Sequence, residues 1–421
     1  MHVGAQLPSK TVRVGTDCSG LEAPLLALRA MQVPFHHVFS SEINPRKRKF
    51  IEAKFASAWV YPDMVRRHPE TLPRCDVYVC GFPCKPFSTL HTKSRGFQEV
   101  QARPFTAVLR TIRGMLPAAA VLENVFGIGR GRYLQKVWAR LASLRWYEVL
   151  TVRINPKNMG ELVHRLRLLF LLVRVDVARD NLDNRVKELL SAGLSAERCS
   201  LSARLLPNMS ALLQTEASAT TRGTARAGAL ASRRVADRMP ASVGRSPTLR
   251  EETVYRAAMS SPRGGEAKAI DLSQSLQWAP KMYAICPTIT PGARIWIVDQ
   301  QRFLSPVEKL FLNMVPVHEL TWPAELSHTD IEDLAGNTMH LKAVGHAMLI
   351  ALALVKWGLD AERRPGEEEP VRKAGQPRYV LVPPDSEMRH MGSLRRRLIP
   401  SQPQAPFTDP PTRPSTRFRA P

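Results

Sequence analysis

The sequence predicts an α/β protein built on a doubly wound, mostly parallel sheet. Three observations carry that expectation. Short β-rich runs alternate with helix-compatible stretches over the first 175 residues, as βαβ units do. The run at 168–173, LLFLLV, is apolar at every position, which suits a central strand buried on both faces. The residues richest in chemistry follow directly on such runs, and open α/β sheets gather their ligands at the carboxyl ends of strands.

Taken in order, residues 12–16 (VRVGT), 38–42 (VFSSE), 76–80 (DVYVC), 119–123 (AAVLE), 147–154 (YEVLTVRI) and 168–175 read as strands, being enriched in β-branched and aromatic side chains. Between them, 25–31, 46–55, 106–115 and 133–144 are helix-compatible. Pro24 suits the opening of the first helix, because proline tolerates the first helical turn. The alternation then stops. Residues 213–269 are rich in Ala, Ser, Thr, Arg and Gly and poor in aromatics, so loose order is expected there. Order should return near Leu276, with Trp278, Met282 and Tyr283, and 339–357 reads as an apolar core helix. Beyond Glu362 the chain turns rich in proline and charge, with RRR at 395–397; a disordered tail is expected.

Composition limits the function classes. A chain of 421 residues with 44% hydrophobic content can bury a core of one large or two modest domains. Lys and Arg number 60 against 37 Asp and Glu, a formal net charge of +23. That surplus favours a polyanionic partner, since neutralised phosphates release condensed counterions; a basic, solvated surface with basic tails would look the same. Six scattered cysteines (Cys18, Cys75, Cys80, Cys84, Cys199 and Cys286) lack the density of a disulfide scaffold. Cys80 and Cys84 lack zinc-ligand spacing, and no metal is expected. No apolar stretch reaches the roughly 18–20 residues needed to span a bilayer. A soluble monomer in a reducing, intracellular compartment is the expectation.

The strongest chemical signal is GFPCKPFS, Gly81 to Ser88, directly after the run 76–80. Pro83 and Pro86 stiffen the loop around Cys84. A free thiol has a pKa of about 8.5, so its surroundings must raise the thiolate fraction before it can serve as a nucleophile. Alone, Cys84 would read as a buried cysteine in a proline-rich turn. Its company changes that. Glu123-Asn124-Val125 ends the next β-rich run, and Arg165-Leu-Arg167 opens a later one after Asn158-Met-Gly160. The first run leads into DCSGLEAP, Asp17 to Pro24; Glu42 ends the second; Asp63-Met64 follows. Towards the C-terminus come PTIT (287–290), RFLSPVE (302–308) and GNT (336–338).

Pro83-Cys84, Glu123-Asn124-Val125, the Arg165/Arg167 pair and the C-terminal runs, in this order, resemble the cytosine-C5 DNA methyltransferases over roughly 11–175 and 282–355. That resemblance implies a sheet of the S-adenosylmethionine-dependent methyltransferase type with an inserted target-recognition region. The catalytic and cofactor core would span 11–175, the recognition region 176–281, the returning motifs 282–358 and the tail 359–421. It implies that Cys84 attacks C6 of a flipped-out cytosine, that Glu123 holds the N3 and N4 edge, and that Arg165, with Arg167 beside it, contacts the O2 side. For the S-adenosylmethionine pocket it implies Cys18, Ser19, Gly20, Leu21, Glu42, Asp63, Met64, Pro83, Asn337 and Thr338. Here the sequence departs from the family's Phe-x-Gly-x-Gly turn: Cys18 stands for the aromatic and Glu22 for the second glycine. Arg-rich pieces such as 222–226 and 233–234 would suit phosphate contacts in the recognition region, and equally a solvated, disordered insert.

The partner implied is DNA, and a basic tail suits a nuclear address, with the cytoplasm as the other. The tRNA-directed branch of this fold is the competing enzyme reading, although its Cys-Phe-Thr signature is absent. A catalytically impaired, nucleic-acid-binding relative is the competing non-enzyme reading, favoured by Glu22 and opposed by Cys84, Glu123 and Arg165. A nicotinamide-dependent oxidoreductase would need the GxGxxG fingerprint, which is missing.

Overall fold

A computed structural model describes residues 8, 10–55, 59–83, 103–129, 132–194, 201, 205, 247–261, 268–276, 281–282, 285–320, 322, 326–358 and 374–380. The principal sheet takes β1 (Val12–Asp17), β2 (Phe35–Ser41), β3 (Trp59–Tyr61), β4 (Val77–Cys80), β5 (Ala119–Val125), β6 (Tyr147–Ile154) and β7 (Arg167–Arg174). Four short strands, β8 (Ala269–Asp271), β9 (Lys281–Met282), β10 (Ile295–Ile297) and β11 (Arg302–Phe303), form a second sheet; β12 (Arg378–Tyr379) returns to the first.

The order across the principal sheet is β12-β6-β7-β5-β4-β1-β2-β3. All its pairings are parallel except those of β7, which runs antiparallel to both β5 and β6. From β1 the chain winds outward to β2 and β3, then crosses back to β4 and β5. The reversal of direction therefore falls between β1 and β4, where Asp17 sits opposite Cys80. A switch point of this kind opens a crevice at the strands' carboxyl ends.

Residue alternation sorts the strands into two cores. Val77, Val79, Val121, Leu169 and Leu171 face one layer, with α1 (Ala23–Ala30), α5 (Leu182–Ala192) and α9 (Leu341–Ala353). Tyr78, Cys80, Leu122, Phe170 and Leu172 face the other, with α3 (Arg103–Met115) and α4 (Arg132–Ala142). Each such side chain removed from water contributes roughly 1.5–3 kcal/mol before the opposing entropy is counted. The continuous apolar run of β7 is thereby explained: both of its faces are covered. Among the described residues the remaining α-helices are α2 (Pro45–Lys54), α6 (Leu249–Met259), α7 (Pro306–Leu312) and α8 (His328–Asn337).

Two expectations are corrected. The loosely ordered stretch 213–269 contains α6, which starts on a capping box between Thr248 and Glu251, and Glu251 also pairs with Arg294 at 3.3 Å. Satisfying two orphan donors at the helix start compensates for weak amphipathicity. Order has resumed at β8, ahead of Leu276, while Trp278 and Tyr283 lie outside the described residues. Residues 374–380, expected to be disordered, dock on the sheet edge. Arg378 donates to Glu148 at 2.7 Å and to Asp183 at 2.8 Å, Tyr379 packs edge-on against Trp138, and Val380 is buried. The Arg-rich pieces of the recognition region and the tail from 381 onward lie outside the described residues.

Candidate active site

Two clusters of site residues meet at the crevice. The first forms at the ends of β4, β5 and β7. Glu123 lies near the end of β5, and Arg167 at the start of the antiparallel β7 places its Nε 2.9 Å from Glu123 Oε1. Both side chains are only slightly exposed (14% and 13%), so the carboxylate is oriented by a cation yet open to a ligand. Beside it runs Gly81. A Cβ there would fall 2.6 Å from the mobile end of Met339 and 3.6 Å from Glu123 Oε2, so this backbone runs directly beside the carboxylate. Asn124 fixes the same stretch: its Nδ2 donates to the Phe82 carbonyl at 3.0 Å, and its Oδ1 accepts from Val125 N at 2.9 Å. Pro83 follows, half-buried. Cys84 itself lies outside the described residues.

Arg165 takes a different place from the one expected. Its guanidinium is buried, and it donates to the carbonyls of Ile289 (2.5 Å), Gly336 (3.1 Å) and Thr338 (2.7 Å). A side chain committed to three backbone carbonyls works as a clamp, stitching the PTIT run and the end of α8 to the start of β7. The physical reason is burial: three fixed acceptors in a dry site hold a guanidinium more firmly than a solvated base edge would. The position beside Glu123 belongs to Arg167.

The second cluster forms where β1 turns into α1. Cys18, Gly20 and Glu22 all adopt left-handed backbone, with φ of 53°, 52° and 58°. Such φ values are uncommon for residues other than glycine. Ser19 N donates to Ser41 O at 3.1 Å, and Gly20 N to Glu42 Oε2 at 2.9 Å. Glu42 Oε1 takes Asn44 N at 2.9 Å, so this carboxylate organises the ends of β1 and β2 together. Above Gly20 a Cβ would meet nothing within 4 Å; the outer face of the turn is open. Ile43, next to Glu42, is 76% exposed.

Asp63 accepts from Val65 N at 2.8 Å and faces Arg66 at 3.4 Å. Met64 is buried, its sulfur 3.6 Å from the Cys18 thiol. Leu21 is buried in the core beneath the turn. Asn337 is exposed, with its amide on Asp333 of its own helix at 2.8 Å. Thr338 is buried, and its carbonyl is held by Arg165. The structure thus brings Cys18, Ser19, Gly20, Glu42 and Met64 together, while Thr338 belongs to the Arg165 clamp and Asn337 bonds within its own helix.

Sequence reasoning passed over several residues. Asn124 and Gly81 lie in motif runs whose sequence gives them no role of their own. Arg67 lies outside every motif run: it forks onto Asp17 at 2.6 and 2.5 Å and lies over the rings of Phe39 and Tyr61. It ties the Asp63-Met64 segment to the end of β1, and Tyr78 also donates to Asp17 at 2.6 Å. Burial raises the Asp17 carboxyl, against the lowering effect of Arg67. An Asp and an Arg amid apolar and aromatic residues would have been the clue. Burial likewise pushes the thiols of Cys75, Cys80 and Cys286 up, which leaves them unreactive. No group of three or more His, Cys, Asp or Glu able to hold a metal occurs among the described residues. Nor is any described helix long and apolar enough to cross a membrane.

Comparison with known proteins gives the family and the fold. The family model for C-5 cytosine-specific DNA methylase matches residues 18–258, more than half of the chain. A DNA (cytosine-5-)-methyltransferase of Cryptococcus neoformans is 26% identical over 416 residues, covering 82% of this chain and 17% of that protein. A type II methyltransferase of Neisseria lactamica is 27% identical over 194 residues, 43% of this chain and 45% of its own length. The chain therefore spans less than half the length of either relative. Among solved structures, an Entamoeba histolytica methyltransferase superposes with a TM-score of 0.51 at 12% identity, over 82% of this chain and 98% of the other. A putative DNA modification methyltransferase from an Escherichia coli prophage gives 0.50 at 16%, over 81% and 98%. These two establish a shared fold.

Proposed function

The chain belongs to the C-5 cytosine-specific DNA methylase family, and from that premise we propose that it methylates cytosine at C5 in DNA. The observation that carries this reading is the Glu123–Arg167 pair, 2.9 Å apart, beside the Gly81 backbone that leads into Pro83 and Cys84. Cytosine C5 is a weak nucleophile. Addition of the Cys84 thiolate to C6 turns C5 into an enamine-like carbon that can accept a methyl group. Loss of the C5 proton then lets the C6–S bond break and frees the thiol. Glu123 hydrogen-bonds the N3 and N4 edge, which favours electron flow into the ring. Arg167 holds that carboxylate and reaches the O2 side, while Arg165 keeps the wall behind them in place. Orienting such charge in advance is what makes a buried polar site effective. The base must leave the duplex first, at a cost of a few kcal/mol in stacking and pairing.

The residues around Gly20 fit S-adenosylmethionine, which supplies an electrophilic methyl group. The turn leaves open space over Gly20, Glu42 offers a carboxylate at the end of β2, and exposed Ile43 offers an apolar surface beside it. Acids at that strand end commonly take ribose hydroxyls. The net charge of +23 suits a DNA partner, and in a eukaryotic cell such a partner would mean the nucleus.

The test is transfer of tritiated methyl from S-adenosylmethionine to duplex DNA and to tRNA, with Cys84→Ser in parallel. A duplex carrying 5-fluorocytosine adds a second readout, because C5 fluorine cannot leave as a proton and the Cys84 adduct should persist. Label on DNA that depends on Cys84 is the expected result. Label on tRNA alone would move the substrate to RNA, and transfer at wild-type rate by Cys84→Ser would overturn the mechanism.

A further inference from the structure

We propose that Glu22 is a positioning residue of the cofactor turn, its neutral carboxyl anchoring a backbone shape that the family obtains from glycine and making cofactor binding proton-dependent. This rests on the S-adenosylmethionine reading above.

The backbone comes first. Glu22 sits at φ 58°, ψ 43° at the head of α1, a left-handed conformation that costs a residue with a Cβ about 1 kcal/mol or more. Its N–H donates to Ser19 O at 2.7 Å, closing the turn, and its carbonyl accepts from Leu25 and Leu26 at 3.0 Å, opening the helix. The residue is the joint between the turn and α1. Something must hold it there, and the side chain is what the structure offers.

That side chain points inward and is fully buried. Glu22 Oε1 accepts from Thr16 Oγ1 at 2.7 Å and from Ser40 Oγ. Ser19 Oγ lies 2.8 Å from Thr16 Oγ1, and His37 Nε2 lies 2.8 Å from Ser40 Oγ. The carboxyl thus links β1, β2 and the turn from below, leaving the outer face over Gly20 free. Among the described residues, Oε2 has no hydrogen-bond partner.

The groups facing this carboxyl from the packed elements are Thr16 on β1, Ser19 in the turn, Ser40 and His37 on β2, and Glu42 beyond them. None supplies a fixed positive charge. His37 is 4.0 Å away, but burial pulls its pKa down to about 4, so it stays neutral at physiological pH. An ionised, unpartnered oxygen in a dry site is costly. Burial first, with Glu42 adding to it, raises the Glu22 carboxyl to about 7 against the lowering effect of the hydroxyls. An ionised Oε2 escapes that cost only if the turn that Glu22 N closes onto Ser19 O loosens. A ligand that seats on the closed turn therefore binds the protonated form better.

The experiment measures the dissociation constant of S-adenosylhomocysteine by calorimetry between about pH 6 and 8.5, using the full chain, Glu22→Gln and Glu22→Ala. Thermal unfolding of each unliganded protein is recorded over the same range. Gln copies the neutral carboxyl in shape and in having both donor and acceptor. Wild type should weaken about tenfold as pH rises through 7, Gln should stay near the acid-side wild-type value, and Ala should bind poorly throughout. The ligand's own ionisation is common to all three, so the ratio of wild type to Gln isolates Glu22. Parallel pH profiles for wild type and Gln, or wild-type affinity in Ala, would overturn the proposal. Absence of binding by wild type at every pH, with a pH-dependent unfolding difference between wild type and Gln, would defeat the cofactor reading and the positioning role together, leaving only the buried network.

Discussion

The two sides of the switch point are built on different principles. After β4, β5 and β7, particular functional groups stand in particular places: Glu123 held by Arg167, Asn124 holding the Phe82 carbonyl, Gly81 running beside the Glu123 carboxylate. After β1, the requirement is a backbone shape with an open outer face, and the residues that create it are unconventional. The first side needs specific atoms, because a carboxylate, a thiol and a guanidinium have no chemical substitutes there. The second needs only dihedral angles and an open outer face, and a Glu anchored from below can impose those as a glycine would permit them. A site defined by chemistry resists substitution; a site defined by shape tolerates compensation.

The largest effect that would break this contrast lies on the chemical side. Cys84→Ser should lower methyl transfer by about 10⁴-fold or more while circular dichroism and thermal unfolding stay near wild type. The two arginines then separate chemistry from scaffold. Arg165→Met should cost about 3–5 kcal/mol of stability in denaturant unfolding, since it strands three buried carbonyls. Arg167→Met should lower kcat by about 10²–10³-fold with a stability change within about 1 kcal/mol. If both variants lost stability equally, Arg167 would be a scaffold residue too.

On the shape side the expected effects are smaller and follow pH. Glu22 has a folded-state pKa raised from 4.5 to about 7, so its contribution to stability is present below about 4.5 and lost as pH rises through about 7. His37, lowered from 6.5 to about 4, works in the opposite sense: its contribution is present above about 6.5 and lost as pH falls towards 4. Each effect is on the order of 3 kcal/mol. Thermal melts of Glu22→Gln should lose the alkaline-side decline and keep the acid-side one. The smallest effect is expected at the far edge of the sheet. Ending the chain after Lys373 removes the Arg378 bridges and the Tyr379–Trp138 contact. That should cost about 1–2 kcal/mol, measured by denaturant unfolding, and leave S-adenosylhomocysteine binding intact.

Legibility divides along the same line. The strands of the principal sheet could be read because β-branched and apolar runs are local signals, and Glu123, Asn124 and the Arg165/Arg167 pair could be read because their order in the chain is itself a pattern. The exchange of roles between Arg165 and Arg167 could not. Two arginines spaced by one residue look alike until β7 is known to run antiparallel beside β5, with Val125 opposite Arg167. The helix α6 was missed because its stability comes from capping and from Arg294, 43 residues beyond Glu251 in the chain, within a composition that suggests looseness. The docked strand β12 was missed because a two-residue strand has no periodicity to detect.

By itself the sequence determined the α/β class, the succession of strands and the identity of the chemical groups, because these depend on side-chain type and local pattern. Only the tertiary structure decided which arginine faces the carboxylate, where the tail docks and how Glu22 comes to be housed at a glycine position. Those outcomes depend on which acceptors and donors long-range pairing brings within about 3 Å of one another in a dry interior, and no local stretch of chain contains that information.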